Sequence, residues 1–239
     1  MHPAYEIYGA SHGPFVFTCE HASCRVPAPL RASPADRAWL GTHWAFDIGA
    51  ANVTRELARC TASMAVLARF SRLVCDLNRP PKSPEWIRRE LQGQLLAFNS
   101  TLDRAERERR RRCCHDPYHA AVDRVLSDAG RVLLVAVHSF TPRLGRERRI
   151  MEAAVLFDEA HPQLARRLAR HLTRAGLRTA LNRPYSGRRG MIHSVQHHGS
   201  RHGVPYLELE LRQDLVCTAP AARALGRRLA VVLQQPKLR

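Results

Sequence analysis

The sequence predicts an α/β fold, a three-layer sandwich in which helices cover both faces of a central mixed, mostly parallel sheet. Three observations carry the prediction. Short apolar runs alternate with amphipathic stretches of helical period along the 239 residues, the order that builds strand–helix–strand units. The run from Arg131 to Val137 is apolar after its arginine and rich in β-branched residues, as a strand buried on both faces requires. Hydrophobic residues make up 45% of the chain, enough to bury a sizeable core.

The elements follow in order. Pro14 to Glu20 reads as a first buried strand, and Ser33-Pro34 as an N-cap followed by proline at the first helical position. Asp47 to Arg59 reads as a helix with an acidic residue suited to its N-terminus. Ser63 to Arg69 and Leu73 to Leu77 read as short extended runs. Ser100 to Ala129 is a long polar helical stretch, expected to break at Pro117 and to close at Gly130. After the central strand come a strand over Ala153 to Phe157 and a helix over Pro162 to Ala175. That helix carries Leu164, Leu168 and Leu172 on one face and is capped by Gly176. Val204 to Leu211 is a late strand and Ala219 to Leu233 a closing helix. No repeat or linker divides the chain, so residues 1–239 are expected to form one domain.

Composition narrows the function. No apolar run reaches the ~18–20 residues that span a bilayer, and the N-terminus lacks the pattern of a signal peptide. The expected location is cytoplasmic. Seven cysteines, odd in number and without a Cys-x-x-Cys pair, argue against a disulfide framework or a four-thiolate zinc site. The formal charge of +17 is carried almost wholly by arginine, since Lys82 and Lys237 are the only lysines. The dense block Arg107 to Arg112 lies in a helical stretch with Asp103, Glu106 and Glu108 and lacks interleaved aromatic residues, which argues against nucleic acid.

Ligands in open α/β sheets bind beyond the carboxyl ends of the strands, and reactive side chains stand at such points here. The first strand ends in Glu20-His21, and the central strand runs into His138-Ser139. Either histidine alone could simply cap a strand. Two at separate strand ends point to a metal, because neutral imidazole is the commonest transition-metal ligand. A hydrolytic zinc site needs a third protein ligand and an open position for water. Glu20 neighbours His21 in a strand, where successive side chains diverge, so it is a poor partner unless the chain turns there. Asp47 is taken as the third ligand. Glu210, in the alternating run Leu207 to Arg212, suits the role of general base for a metal-bound water. Glu208 shares its face, and both glutamates could alternatively line the wet face of an edge strand.

Six segments in order resemble the N-formylglutamate amidohydrolase family: Cys19-Glu-His-Ala-Ser23 with Val26-Pro27, Asp47-Ile-Gly-Ala50, Phe70 to Pro80, Pro117-Tyr-His119, Val137-His-Ser-Phe140, and Asn182 to Gly187. They span about residue 15 to residue 213. The resemblance implies a fold similar to the zinc carboxypeptidases, with one zinc ion, and cleavage of a formyl amide to formate and an amino acid. It implies a metal histidine at His138, a water-activating glutamate at Glu210 within Glu210-Leu211-Arg212, and a carboxylate-binding pair at Asn78-Arg79. One departure matters. The His-x-x-Glu of carboxypeptidase-type enzymes reads His21-Ala22-Ser23-Cys24 here, which is why the third ligand falls to Asp47, with Glu20 and Cys24 as alternatives.

The expected substrate is a small acidic N-acyl amino acid. Arg79 is carried as catalytic, stabilising the oxyanion, with Arg72 a candidate for the same task. Arg72, Asn78, His119, Tyr185 and Ser186 are expected to bind substrate, with Arg188 a further anchor for its carboxylate. Two other readings compete: a related zinc peptidase, and a non-catalytic, arginine-rich binding descendant of the fold.

Overall fold

In the computed structural model, which describes residues 3–235, seven strands form the central sheet. They are β1 (Tyr5–Gly9), β2 (Phe15–Cys19), β3 (Met64–Ala68), β4 (Leu133–Phe140), β5 (Ala153–Leu156), β6 (Thr179–Leu181) and β7 (Tyr206–Arg212), in the spatial order β1-β3-β2-β4-β7-β5-β6. The four strands β3, β2, β4 and β7 run parallel. β1 and β5 oppose their inner neighbours, and β6 runs with β5. The sheet is therefore mixed and mostly parallel, as the sequence predicts.

The period of two along each strand sorts side chains into two cores. Phe15, Phe17, Val135, Val137, Leu207, Leu209 and Leu211 pack toward α2 (Ala50–Cys60), α5 (Pro162–Arg174) and α7 (Ala219–Leu233). Val16, Leu134, Ala136 and Tyr206 pack on the other face with Tyr118, Val122 and Val195 of α4 (Asp116–Asp128) and α6 (His193–His202). Two shorter helices, α1 (Pro34–Leu40) and α3 (Arg104–Arg110), precede α4. α1 starts where expected: the Ser33 hydroxyl accepts from the Asp36 N–H, and the Asp36 carboxylate accepts from the Ser33 N–H. Among the described residues, no helix is long and apolar enough to cross a membrane.

Several boundaries differ from expectation. α2 begins at Ala50, so Asp47 lies before it, in the connection from β2. Gly49 enters the helix with φ +81, and a Cβ there would collide with the Val216 backbone. Leu73 to Leu77 is a series of turns rather than an extended run. There the Ser71 hydroxyl accepts from the Leu73 N–H and the Asp76 carboxylate from the Asn78 N–H, side-chain bonds that compete with strand pairing. Pro117 does not break the helical stretch. Residues Arg111–His115 widen into a π-turn that passes the proline, which sits in the first turn of α4 where its missing N–H costs nothing. β4 starts two residues later than predicted and runs through His138 and Ser139. The short edge strands β1 and β6 and the polar helix α6 were absent from the sequence reading.

Candidate functional site

Three parallel strands, β2, β4 and β7, end side by side, and their registers determine which side chains meet. Glu210 lies directly opposite His138, so the two share a face. Thr18 lies opposite Ala136, and the same register carried two residues on brings Glu20 beside His138. The chain turns at Glu20 and His21, so both side chains reach the site. The expectation that alternation sends Glu20 away fails because the strand has already ended. Asp47 is placed by its backbone N–H, which donates to the His21 carbonyl at 2.9 Å. β7 is an interior strand, and Glu208 and Glu210 are both buried, which removes the reading of a wet edge.

Three donor atoms converge. His138 Nδ1 lies 3.1 Å from His21 Nδ1 and 2.8 Å from Asp47 Oδ2, and His21 Nδ1 lies 3.4 Å from the same oxygen. Each ring is held from behind by a carboxylate: Asp76 Oδ1 at 2.7 Å from His21 Nε2, and Glu20 Oε2 at 2.9 Å from His138 Nε2. A neutral imidazole whose Nε2–H donates to a carboxylate keeps a lone pair on Nδ1. Two lone pairs and a carboxylate oxygen then face one another. Their mutual repulsion is relieved by a proton on His138 Nδ1 shared with Asp47, or by a cation among the three atoms. Ligand bonds of ~2.0–2.1 Å to a tetrahedral ion imply edges of roughly 3.3–3.4 Å, near the 3.1 and 3.4 Å separations and longer than the 2.8 Å one, and a carboxylate behind each histidine is the usual support of a metal ligand. His21, Asp47 and His138 therefore fit a divalent metal.

The surrounding charge points the same way. Burial opposes ionisation of His138, yet Glu208, together with the hydrogen bonds to Asp47 and Glu20, pushes its pKa well above the ordinary value. Positive charge is favoured at this spot. Burial pushes the Glu210 carboxyl well up, and its Oε2 has no hydrogen-bond partner among the described residues. Glu208 is instead satisfied by the Asn78 side-chain amide at 3.0 Å.

A cavity of about 340 Å³ opens over these groups and is lined by His21, Asp47, Arg72, Asn78, Arg79, His138, Tyr185, Glu208 and Glu210 among others. Arg72 donates to Asp76 at 2.8 Å and lies 3.7 Å from Asp47. Arg79 donates to the Asn78 carbonyl at 2.9 Å. Eight of the ten residues expected at the site thus meet here. His119 and Ser186 do not line the cavity. His119 is buried on α4, 2.8 Å from His198, and Ser186 precedes a short 3-10 turn. Cys24 packs against the loop core of Leu73 and Leu91 instead of joining the converging atoms. Sequence reasoning left Asp76 without a role, although its segment stood out. The available signal was its place at the end of an expected extended run, beside Asn78 and Arg79.

A model of the N-formylglutamate amidohydrolase family matches residues 13–217. The chain belongs to that family. Its membership makes amide hydrolysis the activity class of the chain. Among solved structures, the gene product Atu2144 from Agrobacterium tumefaciens is 31% identical with a TM-score of 0.88, over 97% of this chain and 94% of that one. An N-formylglutamate amidohydrolase from Ralstonia eutropha JMP134 is 20% identical with a TM-score of 0.76, over 97% of this chain and 96% of that one. No curated protein matches the chain.

Proposed function

We propose that this family member is a zinc-dependent hydrolase of the amide bond in a small acidic N-acyl amino acid, of which N-formylglutamate is the natural first substrate to try. The observation that carries the proposal is the meeting of His21 Nδ1, His138 Nδ1 and Asp47 Oδ2 within 3.4 Å, each ring held from behind by a carboxylate. Zinc held by these three residues would supply an acidified water and a polarised amide carbonyl.

The rest of the chemistry belongs to the protein. Glu210 faces the cavity from the strand position beside His138, with one carboxylate oxygen free, and accepts the water proton before returning it to the leaving nitrogen. Its raised pKa suits a group that must both take and give a proton. Of the two assignments the sequence left open for the arginines, distances favour the one that keeps Arg79 in the carboxylate-binding pair. Arg72, 3.7 Å from Asp47, is near enough to the metal ligands to stabilise the oxyanion, while Arg79 beside Asn78 anchors the substrate carboxylate. Tyr185 closes one wall.

The test is hydrolysis of N-formyl-L-glutamate beside acetylated and peptide analogues, with metal content measured on the same samples. Stoichiometric zinc at this site and release of formate, both lost in His138→Ala, are expected. Undiminished turnover after exhaustive chelation would overturn the metal assignment, and turnover of peptides alone would overturn the substrate class.

A further inference from the structure

Helices α4 and α6 pack against the sheet face opposite to α2, α5 and α7 and bring together a second set of ligating side chains. His119 and Asp123 lie four residues apart on α4, and His198 and His202 four apart on α6, so each pair shares a helix face. Asp123 Oδ1 lies 2.8 Å from His198 Nδ1 and 2.8 Å from His202 Nε2. These three donor atoms all lie within 4.8 Å of one another. None of the three residues belongs to the cavity described above.

We propose that Asp123, His198 and His202 form a second binding site for a divalent transition ion of the zinc type. Two imidazoles one helical turn apart with a carboxylate from a neighbouring helix make a nitrogen–nitrogen–oxygen set suited to such an ion and ill suited to magnesium or calcium. His198 is fully buried, and its second nitrogen lies 2.8 Å from His119 Nδ1. When His198 Nδ1 ligates a metal, its Nε2–H donates to His119, so His119 does for this ligand what Asp76 and Glu20 do for the histidines of the first site. His119 itself is 8% exposed, and its Nε2 has no hydrogen-bond partner among the described residues, which is unexplained by packing alone. The side chains of Asp123 and His202 are 24% and 16% exposed, so an ion can enter from solvent and retain a water. The competing cation is Arg201, 3.5 Å from the other Asp123 oxygen and directed outward.

The site bears on the first one through α6. In the same helix the Ser194 hydroxyl donates to Glu20 at 2.7 Å, and the Ser194 N–H donates to the Asn78 side chain at 2.9 Å. An ion joining α6 to α4 braces the element that holds both groups.

Equilibrium dialysis of the metal-stripped full chain against Zn²⁺, read by elemental analysis, tests the proposal. The wild type should bind two equivalents, His138→Ala one, His202→Ala one, and the double variant none. Asp123→Asn, a near-isosteric change, should also bind one. In the His138→Ala background, Co²⁺ should give a visible absorption band that disappears with Asp123→Asn. If His202→Ala and Asp123→Asn bind as much zinc as the wild type, or if His138→Ala binds none, the second site does not exist. A single equivalent that survives in His138→Ala but is lost in His202→Ala would instead overturn the first site and uphold the second.

Discussion

Glu20→Gln tests the reasoning about the metal centre most directly, because it changes one proton and almost no volume. Glu20 is completely buried and takes three hydrogen bonds: Oε1 accepts from the Ser194 and Tyr118 hydroxyls at 2.7 and 3.1 Å, and Oε2 faces His138 Nε2 at 2.9 Å. A glutamine that keeps its oxygen toward the two hydroxyls must turn its NH2 toward His138. The imidazole then has to accept there, which shifts its proton to Nδ1 and points that proton at the position of the metal. If the amide turns the other way, the two hydroxyls must rotate to accept from its NH2, and His138 Nε2–H donates to a neutral amide oxygen in place of a carboxylate, losing the stronger charge-assisted bond. Either route weakens metal binding. Loss of a carboxylate behind a metal histidine typically costs 10–100-fold in affinity, roughly 1.4–2.8 kcal/mol. The assay is competition for Zn²⁺ against a chromophoric chelator, with far-UV circular dichroism to verify the fold. An affinity within twofold of the wild type, with the fold intact, would show that His138 does not ligate through Nδ1.

The other expectations concern separate parts of the molecule. Glu210→Gln should leave zinc stoichiometry unchanged while kcat for formate release falls ~10²–10⁴-fold, the usual contribution of a general acid–base group; unchanged kcat would remove Glu210 from proton transfer. Leu209→Ala empties a fully buried position in the core beneath β7 and should destabilise the chain by ~2–5 kcal/mol in urea titrations, whereas a loss below 1 kcal/mol would mean that this core can collapse. The Glu56 carboxyl is lowered from its model-compound value of 4.5 to about 2 by the Arg59 guanidinium, aided by Arg227 and opposed by burial. A depressed folded-state pKa adds stability that is present above about 4.5 and lost as pH falls toward 2. Glu56→Gln should accordingly flatten the acid limb of a stability–pH curve without moving the neutral region toward greater stability.

The readable parts of the chain were those in which one physical signal acted alone. The apolar run of β4, the leucine stripe of α5 and the Ser33-Pro34 cap each fix an element locally, and each stands where expected. The interior position of β7 was not legible, since Leu-Glu alternation suits an edge with one wet face as well as an interior strand that carries a buried site on one face. α6 was missed because its sequence, His-Ser-Val-Gln-His-His-Gly-Ser-Arg-His, has almost no apolar period; it is helical because Ser194, Val195 and His198 pack inward. Glu20 was set aside through the alternation rule, which holds only while the strand lasts. His119 was drawn toward the site by the family motif, whereas the structure gives it to the histidines of α6. The meeting of His21 and His138 was legible because strand ends and reactive side chains coincide in sequence.

The arginine content obscures the most informative charge in the molecule. Many arginines are tied to nearby acids: in the block from Arg107 to Arg112, Arg109 and the buried Arg110 bind Glu106, and Arg111 and Arg112 bind Glu108. The site is the reverse. Glu20, Asp47, Asp76, Glu208 and Glu210 are each 5% exposed or less and surround two histidines, and Arg72 is the guanidinium that reaches both Asp76 and Asp47. Burying a carboxylate without an opposite charge costs several kcal/mol even after relaxation, and although hydrogen bonds satisfy most of the five, the guanidinium of Arg72 does not balance their charge. Protons supply part of the difference, since burial pushes Glu208 and Glu210 up, and the carboxylates around His138 favour its imidazolium. A dication bound by His21, His138 and Asp47 would meet the same demand and leave the two imidazoles neutral. It would also leave Glu210 free to exchange a proton, which a site neutralised by protons alone does not. The charge of this buried pocket thus agrees with the proposed metal, whose support remains the convergence of His21, Asp47 and His138.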